Sequence, residues 1–164
     1  MQKFRKNISS NTYHGFSMIE LILIMVMLGI FASMALTRTN TGLAIIKEQI
    51  AIDQITSDVD LVRSMAFGKH DTITIVFSEA QESYTIFEGP NGSRTRIEDF
   101  PNSDNGTIVL DSPALRDVNL KTVDFDGGRE LQFLPMGEPK HGGTIVLNNR
   151  SILIESVTGR WSIE

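Results

Sequence analysis

Apolar and polar positions follow three patterns along this chain. Across residues 16–36 the only polar side chains are Ser17, Glu20 and Ser33. That is about 21 residues, enough to cross a hydrocarbon core of roughly 30 Å as a helix. Across 43–67, Ile46, Ile50, Ile55, Val59, Val62 and Ala66 recur at helical spacings, with Lys47, Glu48, Asp53, Asp58, Asp60 and Arg63 mostly between them. This predicts an amphipathic helix docked by one face on a globular domain. The polar stretch 37–42 between them is a loop or a loosened part of one long helix.

After Gly68 the period becomes two. Thr72-Ile73-Thr74-Ile75-Val76-Phe77 alternates cleanly, and 83–88 follows a short turn at 78–82, predicting a hairpin. Residues 89–93 and 99–106 read as loops from their Gly, Pro, Asn and Asp content. Further short strands are expected at 107–110, 120–125, 131–134, 144–147, 152–157 and 161–163. Many short strands with regular turns indicate an antiparallel sheet or small sandwich. The fold class is therefore α+β: a long N-terminal helix, its first half transmembrane, packed on an antiparallel β domain.

Composition narrows the chemistry. Beyond residue 36 about 128 residues remain, enough for one modest domain. There is no cysteine, so a disulfide, a thiolate metal site and a cysteine nucleophile are all excluded. Three of the 15 basic residues, Lys3, Arg5 and Lys6, precede the apolar run, leaving 12 against 20 acids, a net charge near −8. That balance argues against broad nucleic-acid binding, which depends on phosphate neutralisation. The histidines at 14, 70 and 141 have no ligand spacing. Asp124-Phe125-Asp126-Gly127 lacks the later ligands of a calcium loop and reads as a turn between strands. Phe77, Phe87, Phe125 and Phe133 read as core. No catalytic constellation, cofactor site or metal site is expected.

Glu20 is the residue that needs explaining. A carboxylate inside lipid costs about 2.5–3.5 kcal/mol on insertion scales, so it marks function and calls for a partner. A secretory signal peptide cut after Ser33-Met34-Ala35 and a plain signal anchor with Glu20 snorkelling are the ordinary alternatives. All three readings place the basic leader in the cytoplasm. A basic leader ending at Gly15, followed by Phe16-Ser17-Met18-Ile19-Glu20 and an apolar helix, resembles the type IV prepilin signature of pilins and type II secretion pseudopilins. The resemblance implies cleavage after Gly15 by prepilin peptidase, N-methylation of Phe16, and neutralisation by Glu20 of a neighbouring subunit's N-terminal amine during assembly. It also implies a pilin-like fold and a helix that partly melts near Gly29 on assembly. Thr37 stands where many major pilins carry proline, which points to a minor or pseudopilin subunit.

Later residues narrow the resemblance to GspH/FimT-type proteins. They are Ser57-Asp58 with Arg63-Ser64-Met65-Ala66 before paired strands, then 131–137, Gly143-Thr144-Ile145 and Gly159-Arg160-Trp161. Some FimT-like proteins bind DNA through a C-terminal Gly-Arg-x-Arg pattern. Here Ser162 replaces the second arginine, leaving Arg160 as the candidate DNA contact.

The expected organisation is a leader at 1–15, a transmembrane assembly helix at 16–36, an amphipathic half at 37–67 and a β-rich domain at 68–164. The expected protein is a non-enzymatic minor pilin or pseudopilin of a type IV pilus, an MSHA-type pilus or a type II secretion pseudopilus, aiding initiation near the tip. Its partners would be other pilins through the N-terminal helix, the prepilin peptidase/methyltransferase and the inner-membrane assembly platform. It would be single-pass in the inner membrane with a periplasmic domain. The leader is long for a secretion pseudopilin, which leans towards a pilus. The alternatives are a FimT-like DNA-binding pilin in DNA uptake and a secreted or anchored adhesin-type domain.

Overall fold

The computed structural model describes residues 15–113, 115 and 118–164, without the side chains of 36–41. Lys3, Arg5, Lys6 and His14 lie outside the described residues. Helix α1 runs over Met18–Lys69, so residues 37–42 continue the helix. They contain no proline, and their threonines and Gly42 each cost at most about 1 kcal/mol in helix propensity. The chain through Asn40 forms one compact unit and Thr41–Glu164 a second.

In the second unit α1 buries Ala51, Ile52, Ile55, Val59, Val62 and Ala66. The sequence pattern placed the start of this stripe wrongly. Ile46 and Ile50 are 56% and 47% exposed, whereas Ala51 and Ile52 are fully buried. At 100° per residue Ile50 sits about 140° around the helix from Ile55. Stepping back from Ile55 by three and four reaches Ile52, Ala51 and then Glu48. Glu48 is buried accordingly, and its Oε1 accepts the Asn149 amide at 2.9 Å. Arg150 donates to the Gln49 side chain one residue on. These two bonds seat the turn at Asn148-Asn149 on the helix.

Strands β1 (Ile73–Ser78), β2 (Ser83–Glu88), β3 (Thr95–Arg96), β4 (Thr107–Val109) and β6 (Glu130–Phe133) form one antiparallel sheet in the order β3-β2-β1-β6. β4 shares the outer edge of β2 with β3. The second antiparallel sheet is β5 (Leu120–Asp124), β7 (Gly143–Leu147), β8 (Arg150–Ile154) and β9 (Trp161–Ile163), in the order β5-β7-β8-β9. Apolar partners meet in register: Ile75 faces Ile86 and Leu131, and Ile152 faces Ile145 and Ile163. The inner faces of both sheets and the buried stripe of α1 close one core, with no disulfide in it.

β5 and β6 are joined by a tight turn yet belong to different sheets. Phe125 and Gly128 exchange backbone hydrogen bonds. Asp126 (φ 55°) and Gly127 (φ 79°) take the two left-handed positions between them, as a primed turn requires. The Gly127 amide donates to Asp124 Oδ1 at 2.8 Å. The aspartates of this segment thus serve a turn.

Phe77, Phe125 and Phe133 are core residues, but Phe87 is not. It points to the opposite face of β2 from Ile86, where the Arg94 and Arg96 guanidinium groups stand 5.0 and 5.8 Å from its ring centre. β8 also ends earlier than expected, at Ile154. The Gly159 amide returns to the Glu155 carbonyl, making a turn with Val157 75% exposed.

Candidate functional site

Gly15, Phe16 and Ser17 form an exposed segment, neither helix nor strand, ahead of α1. A Cβ on Gly15 would meet no atom within 4 Å, and Phe16 is 74% exposed. The Ser17 carbonyl accepts the amides of Glu20 (3.0 Å) and Leu21 (3.2 Å), which makes Ser17 the N-cap. Ser17-x-x-Glu20 therefore has capping-box spacing. The positive end of the helix dipole also favours a carboxylate there. Glu20 itself is exposed, and among the described residues no cation of this chain pairs with it. The capping position was legible in the sequence as Ser17 three residues before Glu20.

Behind Glu20, Met18–Ala35 is a helix long and apolar enough to cross a membrane, and none of it is buried. Its large side chains range from 44% exposed at Ile24 to 81% at Met18. A helix apolar all round and uncovered needs lipid or other protein around it.

The remaining candidates do not gather into a site. The Arg160 side chain is exposed, while its carbonyl accepts the Glu155 amide at 2.9 Å and its amide donates to Thr158 Oγ1 at 3.2 Å. The next residue, Trp161, is 38% exposed and donates its indole N–H to Asp60 Oδ2 at 3.1 Å, tying β9 to α1. His70 ends the helix at φ 52°, its ring centre 6.1 Å from that of Phe67. His141 lies 3.3 Å from Asp126 Oδ2. Among the described residues no three potential metal ligands cluster.

One polar pair of the core escaped the sequence reading. Asp58 on α1 and Tyr84 on β2 are both buried and hydrogen-bonded to each other. Burial pushes the Asp58 carboxyl above its usual range, partly offset by the Tyr84 hydroxyl. Burial and the adjacent carboxylate raise the Tyr84 phenol far above its ordinary value. Buried between α1 and β2, the pair braces the helix against the sheet.

The family model of the type II transport protein GspH matches residues 51–163. The chain belongs to this family. It is a minor pseudopilin or minor pilin, a structural subunit rather than an enzyme, of the kind that associates with other pilin-type subunits. Among solved structures, the minor pseudopilin EpsH of the Vibrio cholerae type 2 secretion system is similar with a TM-score of 0.56 and 10% identity, over 71% of this chain and 94% of that one. The type IV minor pilin FimU of Pseudomonas aeruginosa is similar with a TM-score of 0.50 and 16% identity, over 71% and 87%. At these identities the likeness is one of fold. No curated protein matches the chain by sequence.

Proposed function

We propose that this GspH-family subunit is made as a precursor, cut between Gly15 and Phe16, methylated at the new terminus, and drawn from the inner membrane into a pilus or pseudopilus. Within that assembly it would act as a minor subunit that helps initiation near the tip. The observation that carries the reading is Glu20: a carboxylate with no cationic partner among the described residues, at the head of a wholly uncovered apolar helix. A carboxylate and an amine are each costly in lipid and become tolerable when paired. The amine of another subunit's Phe16, created by cleavage, supplies the missing partner.

The exposed backbone at 15–17, outside any helix or strand, supports cleavage there, because a peptidase needs an accessible segment. The basic leader favours a cytoplasmic N-terminus, which puts the β domain in the periplasm. The prepilin peptidase/methyltransferase would act first and the inner-membrane assembly platform second. In the filament the 18–35 face exchanges lipid for neighbouring helices, so little hydrophobic burial is lost in either direction.

The deciding experiment is the intact mass and N-terminal sequence of the protein isolated from its native membrane. A chain beginning at methyl-Phe16 is expected. A start at Leu36 would mean a secreted domain, and an uncut chain a plain anchor. Either of those sinks the proposal.

A further inference from the structure

The outward face of α1 in the second unit ends in a notch that none of the described residues fills. Asp60, Arg63, Ser64 and Phe67 of the helix, with Met136 and Gly137 of the loop after β6, line an open groove of about 500 Å³. Phe67 is 57% exposed and Met136 70%. Trp161 extends the same rim through its bond to Asp60.

Three large apolar side chains of the types enriched at interface centres thus border one groove. They are also held in place. The Gly137 amide closes on the Leu134 carbonyl at 2.8 Å and the Leu134 amide on the Glu138 carbonyl at 2.9 Å. Arg63 Nε donates to the Gly137 carbonyl at 3.2 Å. Met136 is the fixed tip of a clamped turn, so little freedom remains to be lost on binding.

Charge says what fits. On the exposed strip leading to the notch, Asp53, Ser57, Asp60 and Ser64 follow one another at helical spacing. Asp53 accepts from Gln49 and Asp60 from Trp161, but among the described residues neither has a cationic partner. Arg63, the base in the groove's lining, is engaged with the loop. A second copy docking with Asp60 near the two-fold axis would set it towards its own equivalent, which like charges oppose.

We propose that this notch docks a neighbouring subunit of a different pilin type, which inserts an apolar side chain between Phe67 and Met136 and sets a lysine or arginine against Asp60. The proposal rests on the filament function given above. It adds a surface on the β domain side of the molecule, separate from the apolar first half of α1.

The test uses the full-length protein in cells that assemble its filament. A photo-crosslinking phenylalanine analogue replaces Met136, or, as control, Val109 on β4, which is 47% exposed. Irradiation is expected to join residue 136 to a different pilin-type subunit, identified by mass spectrometry, at an apolar residue next to a lysine or arginine. Position 109 should give no such adduct. Asp60→Asn keeps the acceptor for Trp161 and removes the charge, so it should lower the adduct about threefold or more without changing the thermal midpoint.

Adducts only with a second copy, with lipid or with a protein outside the pilin type would overturn the proposal, as would an unchanged yield in Asp60→Asn. Sheared filaments separate the two levels. A subunit present in filaments but uncrosslinked at 136 sinks the notch alone. A subunit absent from filaments sinks the filament function and the notch with it.

Discussion

The Tyr84 hydroxyl donates a 2.5 Å hydrogen bond to Asp58 Oδ2 across the boundary between α1 and β2, with Tyr84 only 1% and Asp58 7% exposed. A buried carboxylate is disfavoured by desolvation, so the folded state holds the Asp58 proton more tightly than the unfolded chain, whose carboxyl titrates near 3.8. Above 3.8 the folded protein therefore binds more protons, and this group's contribution to stability falls as pH rises through the raised folded value. Asp58→Asn removes the titration and keeps an acceptor for Tyr84. Relative to Asp58→Asn, the wild type is expected to lose stability as pH rises through that window. Urea unfolding of the detergent-solubilised chain, followed by Trp161 fluorescence, would show it, and a difference independent of pH contradicts it. Asp58→Ala strands the hydroxyl and should cost about 1–3 kcal/mol.

Arg94 and Glu130 make a second bridge, of opposite sign. Both guanidinium NH groups reach the two carboxylate oxygens at 2.9 Å, while Asn91 accepts from Gln132 at 3.1 Å. The loop after β2 is thereby strapped to β6. The hydrogen bonds from Arg94 hold the Glu130 carboxyl below its usual 4.5. The stabilisation is present above 4.5 and lost as pH falls through the lowered folded value. Both side chains are partly exposed, at 28% and 40%, so Glu130→Gln should cost less than about 1 kcal/mol globally. Locally the effect is larger: amide exchange across 90–94 is expected to accelerate. Unchanged protection there would show that the strap is held by its backbone.

Much of this fold was legible because its signals are local. Alternation of apolar and polar residues located both strands of the first hairpin, and Gly and Asn marked the turns that follow. The phase of the α1 stripe was not, since Ile46 and Ile50 are apolar for a reason outside their own chain's core while Glu48 is buried by a bond to Asn149, a hundred residues away. Phe87 misled for a similar cause, its ring being covered by Arg94 of a loop and Arg96 of β3. The assignment of β5 and β6 to different sheets depends on long-range pairing that a tight turn between them conceals. The Gly15-Phe16 and Glu20 pattern is contiguous in sequence, so the processing proposed for it could be put forward without the fold. The notch beside Met136 could not, being made by residues from three separate segments.

Two glycines should respond oppositely to the same added methyl group. A Cβ on Gly143 would stand 2.1 Å from the Asp124 carbonyl oxygen and 2.4 Å from the Phe125 ring, where β7 passes the end of β5. Neither backbone nor buried ring can retreat cheaply, so Gly143→Ala is expected to destabilise by about 3 kcal/mol. Gly68 lies in the last turn of α1 with nothing within 4 Å of its added carbon. Gly68→Ala should raise stability by up to about 1 kcal/mol. Thermal midpoints of the two variants moving in the same direction would contradict the packing described here.

Glu20 offers two explanations that a single substitution can separate. As the third residue of a capping box it needs only a side-chain acceptor for the Ser17 amide, which glutamine also provides. As the partner of a neighbour's N-terminal amine it needs the negative charge, which glutamine lacks. Loss of the cap costs about 1 kcal/mol or less in one helix end. An unneutralised amine in lipid costs several kcal/mol. Cleavage precedes assembly and reads the leader side of the bond, so Glu20→Gln and Glu20→Ala should both be processed to Phe16. If the charge matters, both are expected to accumulate in the membrane and fall by tenfold or more in sheared filaments, at about 1.4 kcal/mol per factor of ten. If Glu20→Gln assembles like the wild type while Glu20→Ala does not, Glu20 is a helix cap and the pairing mechanism is wrong.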